Sequence, residues 1–560
     1  MSVVPRNARY NVLPMGIPSQ RRSVRQGVQT GNDFKPTGSK IIRINLPQQS
    51  YLDCANTYLT FRHKITNADD NEQATIAAAL NNTADGEICM DNGAFSWIRN
   101  IQIQGADGSV LENIQNYNLL SRVLHRATQP NDHNESSASV IQGYGDITER
   151  QSWGCNAQGR VYAIQLSASG LLSNSKYIPL KYLQGGLTIQ IELEDFSKCH
   201  QAPNANFSYL INNVYLHMDL CDFSDEFDAM FRNQLASEGV NIHFDTYSSH
   251  IDTLAEGSLN EKHLEISERA SSVKSVYSVT RTTASMNNAG SDSLGTWTSR
   301  ELKKYRFTLG TTDYPRYEVD CSGGGAIAYT EMLKGFGTLG DINGGSEIDY
   351  NSWRGEASAS CNKKLEIQYI EVISSVGKLA GGQRTTARIV FQGKHGLTAG
   401  SNAELTGSYI TISNCAANSF NTSGETGAND PTGDNLGGWI VDAVVSENCV
   451  IAERVRNAKA DAVVKYSAGT AATLGLVAFK GTANYTSVVG DGGDVRFMLA
   501  QNFENHFENQ ILQTGVSASG AVPLALTLDH GVGTACQVNT FVHSDKMLTI
   551  GADGLATVSV

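Results

Sequence analysis

The stretch Gly335-Phe336-Gly337-Thr338-Leu339-Gly340 has the Gly-x-Gly-x-x-Gly spacing that can bring backbone amides up to a pyrophosphate. That chemistry needs a strand before the glycines and a helix after them, because the helix N-terminus must face the phosphates. Here a helical stretch from Ala326 to Lys334 comes first and the loop Asp341 to Gly345 follows, so the segment reads as a flexible connection. The 12 histidines raise metal chemistry, yet His243 and His250 lie seven apart, His125 and His133 eight apart, and no His-Glu-x-x-His occurs. The adjacent Cys199-His200 pair is expected to project to opposite faces of a strand. Gly515-Val516-Ser517-Ala518-Ser519 misses the Gly-x-Ser-x-Gly nucleophile elbow by one residue. Glu192 and Glu194 alternate with apolar residues and read as solvated neighbours on a wet strand face, not as two carboxylates converging on one sugar bond. The expectation is therefore no catalytic residue, no metal and no cofactor.

The arginines near the start carry the one plausible chemistry. Before Asp33 there is no acidic residue, while Arg6, Arg9, Arg21, Arg22 and Arg25 lie there among Pro5, Pro14 and Pro18. Residues 1–37 read as an extended basic arm on an acidic body of net charge -13. Such arginines can neutralise phosphates without sequence preference, or dock on a neighbouring subunit.

The body that must position these groups is β-rich. Charged residues make up only 18% against 40% hydrophobic, with 53 glycines and 21 tyrosines, which excludes a disordered chain and suits many strands and turns. The 10 cysteines form no Cys-x-x-Cys pair, which fits free, buried thiols in a reducing compartment. No apolar run reaches membrane-spanning length, and the arginine-bearing start lacks a signal peptide's apolar segment, so synthesis in the host cell interior is expected.

Period-two alternation begins at Ile42, Ile44 and Leu46, and continues through Leu59, Phe61 and Ile65. Ile101 and Ile103 lead through an Asp107-Gly108 turn to Leu111 and Ile114, a hairpin signature. Leu187 to Leu193 and Val214 to Leu220 alternate strictly, and Tyr117 to Arg126 reads as a short helix. Ser224, Asp225 and Glu226 signal a helix start, with Phe227, Met230, Phe231 and Leu235 as its apolar stripe and Gly239 as its stop. Strands then return at His243 to Tyr247, His263 to Ile266, Val273 to Val279, Val495 to Leu499, Leu524 to Leu528, Val538 to Val542 and Met547 to Ile550. The implied plan is an arm at 1–37, a first sandwich at 38–222, a linker helix at 223–239, and a second sandwich at 240–361 and 490–560. An Ala-, Gly- and Thr-rich β-module at 362–489 is inserted in the second, because structureless loops of that length are rare in compact domains. The fold class is all-β: two tandem sandwiches joined by a short helix.

Three segments resemble the double jelly-roll major capsid proteins of polinton-like viruses and virophages. They are KIIRINLPQQSYLDCANTYLTFR from Lys40, GAFSWIRNIQIQGADGSVLENIQNYNLLSRVL from Gly93, and NQILQTGVSASGAVPLALTL with FVHSDKMLTIGADGLATVSV at the C-terminal end. The resemblance implies two jelly rolls, homotrimeric pseudo-hexameric capsomers, and an icosahedral virion around double-stranded DNA. It also implies penton and minor capsid partners, and contact of the arm with packaged DNA or an internal membrane. The inserted module departs from that pattern and is expected to be an outer turret; its KHGLTAGSNAELTG stretch resembles a β-module of phage structural proteins. The rival reading is a carbohydrate-binding or glycoside-hydrolysing β-sandwich. It calls for an export signal and an aromatic platform, whereas Trp97, Trp153, Trp297, Trp353 and Trp439 are dispersed along the chain.

Overall fold

The computed structural model describes residues 17–67, 88–129, 141–144, 159–202, 207–255, 261–286, 293–299, 302–321, 325–340, 346–348, 353, 367–379, 382–391, 408–410, 439–446, 448–454, 486–487, 496–504, 514–518, 523–530 and 535–559. Alternating sequence becomes alternating burial. Leu187, Ile189, Ile191 and Leu193 face a core while Thr188, Gln190 and Glu192 lie at its margin. The first sandwich contains β1 (Ser19–Gly27), β2 (Asp33–Phe34), β3 (Ile41–Leu46), β4 (Tyr51–Asn67), β5 (Cys89–Ala94), β6 (Ile98–Gly105) and β7 (Val110–Gln115). Helix α1 (Tyr117–Thr128), β8 (Arg160–Ile164), β9 (Leu187–Leu193), the helical turn α2 (Phe196–Cys199), β10 (His200–Gln201) and β11 (Phe207–Phe223) complete it.

Helix α3 (Asp225–Ser237) leads into β12 (Val240–Leu254), β13 (Glu261–Ile266), β14 (Val273–Thr282), the turn α4 (Thr283–Met286), β15 (Leu302–Leu309), β16 (Thr312–Asp320) and helix α5 (Ala326–Gly335). Next come β17 (Ile367–Leu379), β18 (Gly382–Phe391), β19 (Ser408–Ile410), β20 (Trp439–Ser446), β21 (Cys449–Arg454) and β22 (Thr486–Ser487). The chain ends in β23 (Met498–Asn502), β24 (Leu524–His530), β25 (Cys536–Ile550) and β26 (Ala556–Ser559).

The sheets of the first sandwich run β1-β11-β4-β8 and β3-β9-β6-β7, and those of the second β12-β25-β14-β23 and β13-β24-β15-β16. When the eight principal strands of each sandwich are ranked by chain order, both give 1-8-3-6 and 2-7-4-5. This is the strand order of a jelly roll, and the chain contains it twice. Phe61, Trp97 and Tyr162 fill the first core, with Phe61 and Trp97 edge-to-face at 4.9 Å. Tyr305, Phe307 and Phe503 meet in the second.

The two rolls belong to one compact unit. Asn174 Nδ2 donates to the His243 carbonyl at 2.8 Å, Asn116 Nδ2 to Ser249 Oγ at 2.9 Å, and Ser293 Oγ to Asp91 at 2.9 Å. Gly170 of the first roll lies so close to β12 that a Cβ there would stand 1.6 Å from the Asp245 carbonyl oxygen, so only glycine fits. A second compact unit, residues 348–497 with 296–299, carries an antiparallel sheet ordered β17-β18-β21-β20-β19-β22. Its core includes Ile389, Phe391, Trp439, Val441 and Val450, and the unit is inserted between ranks 5 and 6 of the second roll.

Several details differ from the sequence reading. Residues 19–27, within the segment expected as an arm, form the rank-1 strand of the first sheet, paired along its length with β11. Helix α3 starts after Ser224 without a side-chain cap and is followed by Gly239 at φ 73°. Met230 does not join its apolar stripe; it is 69% exposed, and Asp228 is the buried neighbour, bound to Tyr51 and Lys181. Val538 to Ile550 is one uninterrupted strand, not two. The repeated Gly-Ala-Asp-Gly makes the same turn twice, but between β6 and β7 in one place and between β25 and β26 in the other. The expected strand at Val463 to Tyr466 lies outside the described residues.

Candidate functional site

The arginine-bearing strand is the feature singled out by sequence, and β1 carries three of its five arginines at the edge of a sheet. Arg21 donates from Nε to Asp219 at 2.9 Å and from Nη2 to Asp53 at 3.0 Å. The Ser23 hydroxyl and Arg21 hold the Asp219 carboxyl below its ordinary range. Arg22 donates to Ser50 Oγ at 2.8 Å and faces Asp222 at 3.5 Å. Arg25 lies over the Tyr215 ring, 4.4 Å from its centroid, and no carboxylate among the described residues pairs with it. Thus Arg21 and Arg22 are engaged by acids of the sheet itself, which lowers their capacity to neutralise phosphate. Arg6 and Arg9 lie outside the described residues.

A groove of about 510 Å³ opens beside this strand, lined by Arg25, Asn56, Tyr58, Gln165, His217 and Asp219. Irregular pairing of β11 with β4 on either side of His217 helps shape its floor. The rings of Tyr58 and His217 stack in parallel at 4.8 Å, and burial with the nearby Arg25 lowers the His217 pKa. Arg25, His217 and Asn56 offer hydrogen bonds and positive charge, so the groove suits a polar or anionic segment.

Three constellations inside the rolls resemble catalytic ones and differ in geometry. Ser248 Oγ bonds the Glu268 carboxylate, and His250 Nε2 lies 3.4 Å from the same oxygen and 3.5 Å from Ser248 Oγ. A relay needs serine and acid on opposite ring nitrogens; here both meet Nε2. Cys199 and His200 do not project apart, because Cys199 ends a helical turn: its Sγ lies 3.0 Å from His200 Nδ1, and His200 Nε2 lies 2.9 Å from His63 Nε2. Burial pushes the Cys199 thiol well up, His63 down to about 3 and His200 down as well, so none is a thiolate or a ready base. Glu194 is not on a wet face. It follows the end of β9, is buried, and accepts from Asn118 Nδ2, whereas Glu192 accepts from Asn100 Nδ2 at 2.6 Å. The glycine motif follows the C-terminal end of α5, with Gly337 at φ 72°, the wrong helix end for a phosphate.

Among the described residues none of these constellations has catalytic geometry, and the fold defines the class: a double jelly roll. Among solved structures the chain is similar to the PBCV-1 virus capsid, at 7% identity over 98% of both chains, with a TM-score of 0.50. It is also similar to the Sputnik virophage structure, at 9% identity over 100% of this chain and 93% of that one (TM-score 0.43), and to the mavirus major capsid protein, at 9% identity over 99% and 93% (TM-score 0.43). At such identities the likeness is one of fold, and the PBCV-1 match spans both rolls. No protein-family model and no curated protein matches the chain.

Proposed function

We propose that this chain is a major capsid protein that assembles as homotrimeric, pseudo-hexameric capsomers and tiles an icosahedral shell around double-stranded DNA. The observation that carries this reading is the repetition of one jelly-roll strand order within one compact unit. Two similar lobes per chain, taken three times around an axis, give six lobes, a block that packs hexagonally. Closed sandwiches leave few sheet edges to aggregate, and weak contacts suffice when many act together in a shell. Five-fold positions then call for a separate penton protein and minor capsid proteins. The N-terminal segment with Arg6 and Arg9 is the part suited to packaged DNA or an internal membrane, and residues 362–489 are suited to an outer turret. Light scattering at neutral pH tests the reading: the expected mass is three times 60.4 kDa, with pseudo-hexagonal outlines in negative stain. A clean monomer across a wide concentration range would overturn it.

A further inference from the structure

Two His-x-Asp triplets, His243-Phe244-Asp245 on β12 and His543-Ser544-Asp545 on β25, face one another across an antiparallel ladder. The register sets Asp245 opposite Asp545, and period-two geometry puts both histidines on that same face. His243 Nε2 lies 3.1 Å from Asp545 Oδ1, and His543 Nε2 lies 3.5 Å from Asp245 Oδ2. Like charges directly opposite in a sheet are unfavourable unless a cation lies between them. The resident cation is Lys274 of β14, 3.3 Å from Asp245, 3.6 Å from Asp545 and 3.7 Å from Glu504. One ammonium is set against three carboxylates, and beyond it only the two histidines can offset them; contact with Asp545 raises the His243 pKa.

Lys274 Nζ donates to both Asp245 oxygens, at 3.4 and 3.3 Å, whereas the histidine–carboxylate contacts are close without hydrogen-bond geometry. His243 Nε2, His543 Nε2 and Asp545 Oδ1 are buried and have no hydrogen-bond partner, and the Asp545 side chain is only 1% exposed. Ser275 Oγ donates to the Tyr277 hydroxyl, so toward His543 Nδ1, 3.1 Å away, it is an acceptor. The His543 Nδ1–H then donates to Ser275, and Nε2 is the ring nitrogen turned toward Asp245. A ring nitrogen and a carboxylate oxygen at that spacing can share a proton or a metal ion. Ligands about 2.0–2.1 Å from a tetrahedral ion are separated by roughly 3.3 Å, close to the spacings seen here. His243, Asp245 and Asp545 bring their ligand atoms within 4.8 Å of one another.

We propose that these facing triplets form a binding site for one divalent transition-metal ion, Zn2+ fitting best, with His243 Nε2, Asp245 and Asp545 Oδ1 as ligands and His543 beside them. An imidazole with two carboxylates favours Zn2+ over the hard ions Ca2+ and Mg2+, which take all-oxygen shells. Asp245, 42% exposed, gives the ion its way in. Ser272 Oγ, donating to Asp545 Oδ2 at 2.7 Å, and Ser275, accepting from His543, orient the ligands. Because β12 and Asp245 abut Gly170 and Asn174, the ion ties the strand pair at the contact between the two rolls.

The test uses full-length, tag-free protein stripped with chelator and titrated with ZnCl2, followed by calorimetry and thermal melting, with Co2+ absorption as a spectroscopic readout. Expected are one ion per chain, a rise in Tm, and a Co2+ spectrum of low coordination number. His243→Gln and Asp245→Asn should weaken Zn2+ by about tenfold or more, with each variant's Zn2+-induced rise in Tm read against its own metal-free melt. Lys274→Met, which removes the competing ammonium, should bind as tightly or more tightly. Absence of stoichiometric Zn2+ from the wild-type protein would overturn the proposal, even if Lys274→Met binds, as would binding that survives both ligand substitutions. Neither result bears on the assembly state, so the capsid reading stands or falls separately.

Discussion

His63 and His200 lie fully inside the first roll, neutral and joined Nε2 to Nε2 at 2.9 Å. Burial lowers both pKa values, His63 to about 3. The unfolded chain binds a proton on each near pH 6.5, and the folded chain does not until far lower. The unfolded state therefore holds more protons between those limits, and stability falls as pH is lowered from about 6.5. Integrating from pH 6.5 to 5 gives about 1.6 kcal/mol for His63, and His200 adds to the loss in the same direction. His63→Gln keeps a polar partner for His200 and removes one titration. Urea unfolding at fixed protein concentration, at pH 7, 6 and 5, should show the variant losing about 1.6 kcal/mol less than wild type over this window. Taking the difference between the two proteins cancels the titrating groups that do not touch His63; His200, relieved of its neighbour, adds to the gain in the same direction. Equal losses would show that His63 protonates in the fold without penalty, and the reasoning would fail.

Glu112 is buried and accepts from Ser169 Oγ, Gly170 N and Leu171 N. Glu112→Gln turns an amide donor toward donors and should cost about 2–4 kcal/mol, read as a lower melting temperature. Gly170→Ala should cost at least about 2 kcal/mol and open the contact between the rolls to protease, since its Cβ meets the Asp245 carbonyl. Replacing 362–489 with a short Gly-Ser linker should leave the assembly state and melting of the rest unchanged, because loop-closure entropy changes by only about 0.6 kcal/mol per doubling of length; collapse of the second roll would show that the module belongs to its core.

The sequence was most readable where one face of a strand is buried and the other is not. β9 displays its alternation outright, and α1 starts at the expected Tyr117. It was least readable at edges and at buried charge. β1 carries Ser-Gln-Arg-Arg-Ser-Val-Arg-Gln-Gly and is mostly exposed, so no apolar period announces it; its strand form comes from pairing with β11. β25 looked broken at His543 to Lys546, because polar residues there resemble a turn until Asp245 and Lys274 are placed beside them. The facing triplets are separated by nearly the length of the second roll. The repeated His-x-Asp pattern was the only local signal, and it gains meaning only through the ladder register.

The rank order 1-8-3-6 has a consequence for synthesis. In each roll the last principal strand lies between the first and the third, so β12 and β14 are joined into one sheet only when β25 arrives between them. For the first roll that moment comes with β11, well before the chain is finished. For the second, Leu254 must wait for Cys536, with a whole inserted unit made in the interval. At 5–20 residues per second this is a delay of tens of seconds, during which two half-sheets expose unpaired backbone. The first roll, already folded and carrying the 169–171 loop against which β12 packs, is then the template on which the second half-sheet can wait. A chain of this kind reaches its mature shape in two installments, and the late one is where a folding helper would act.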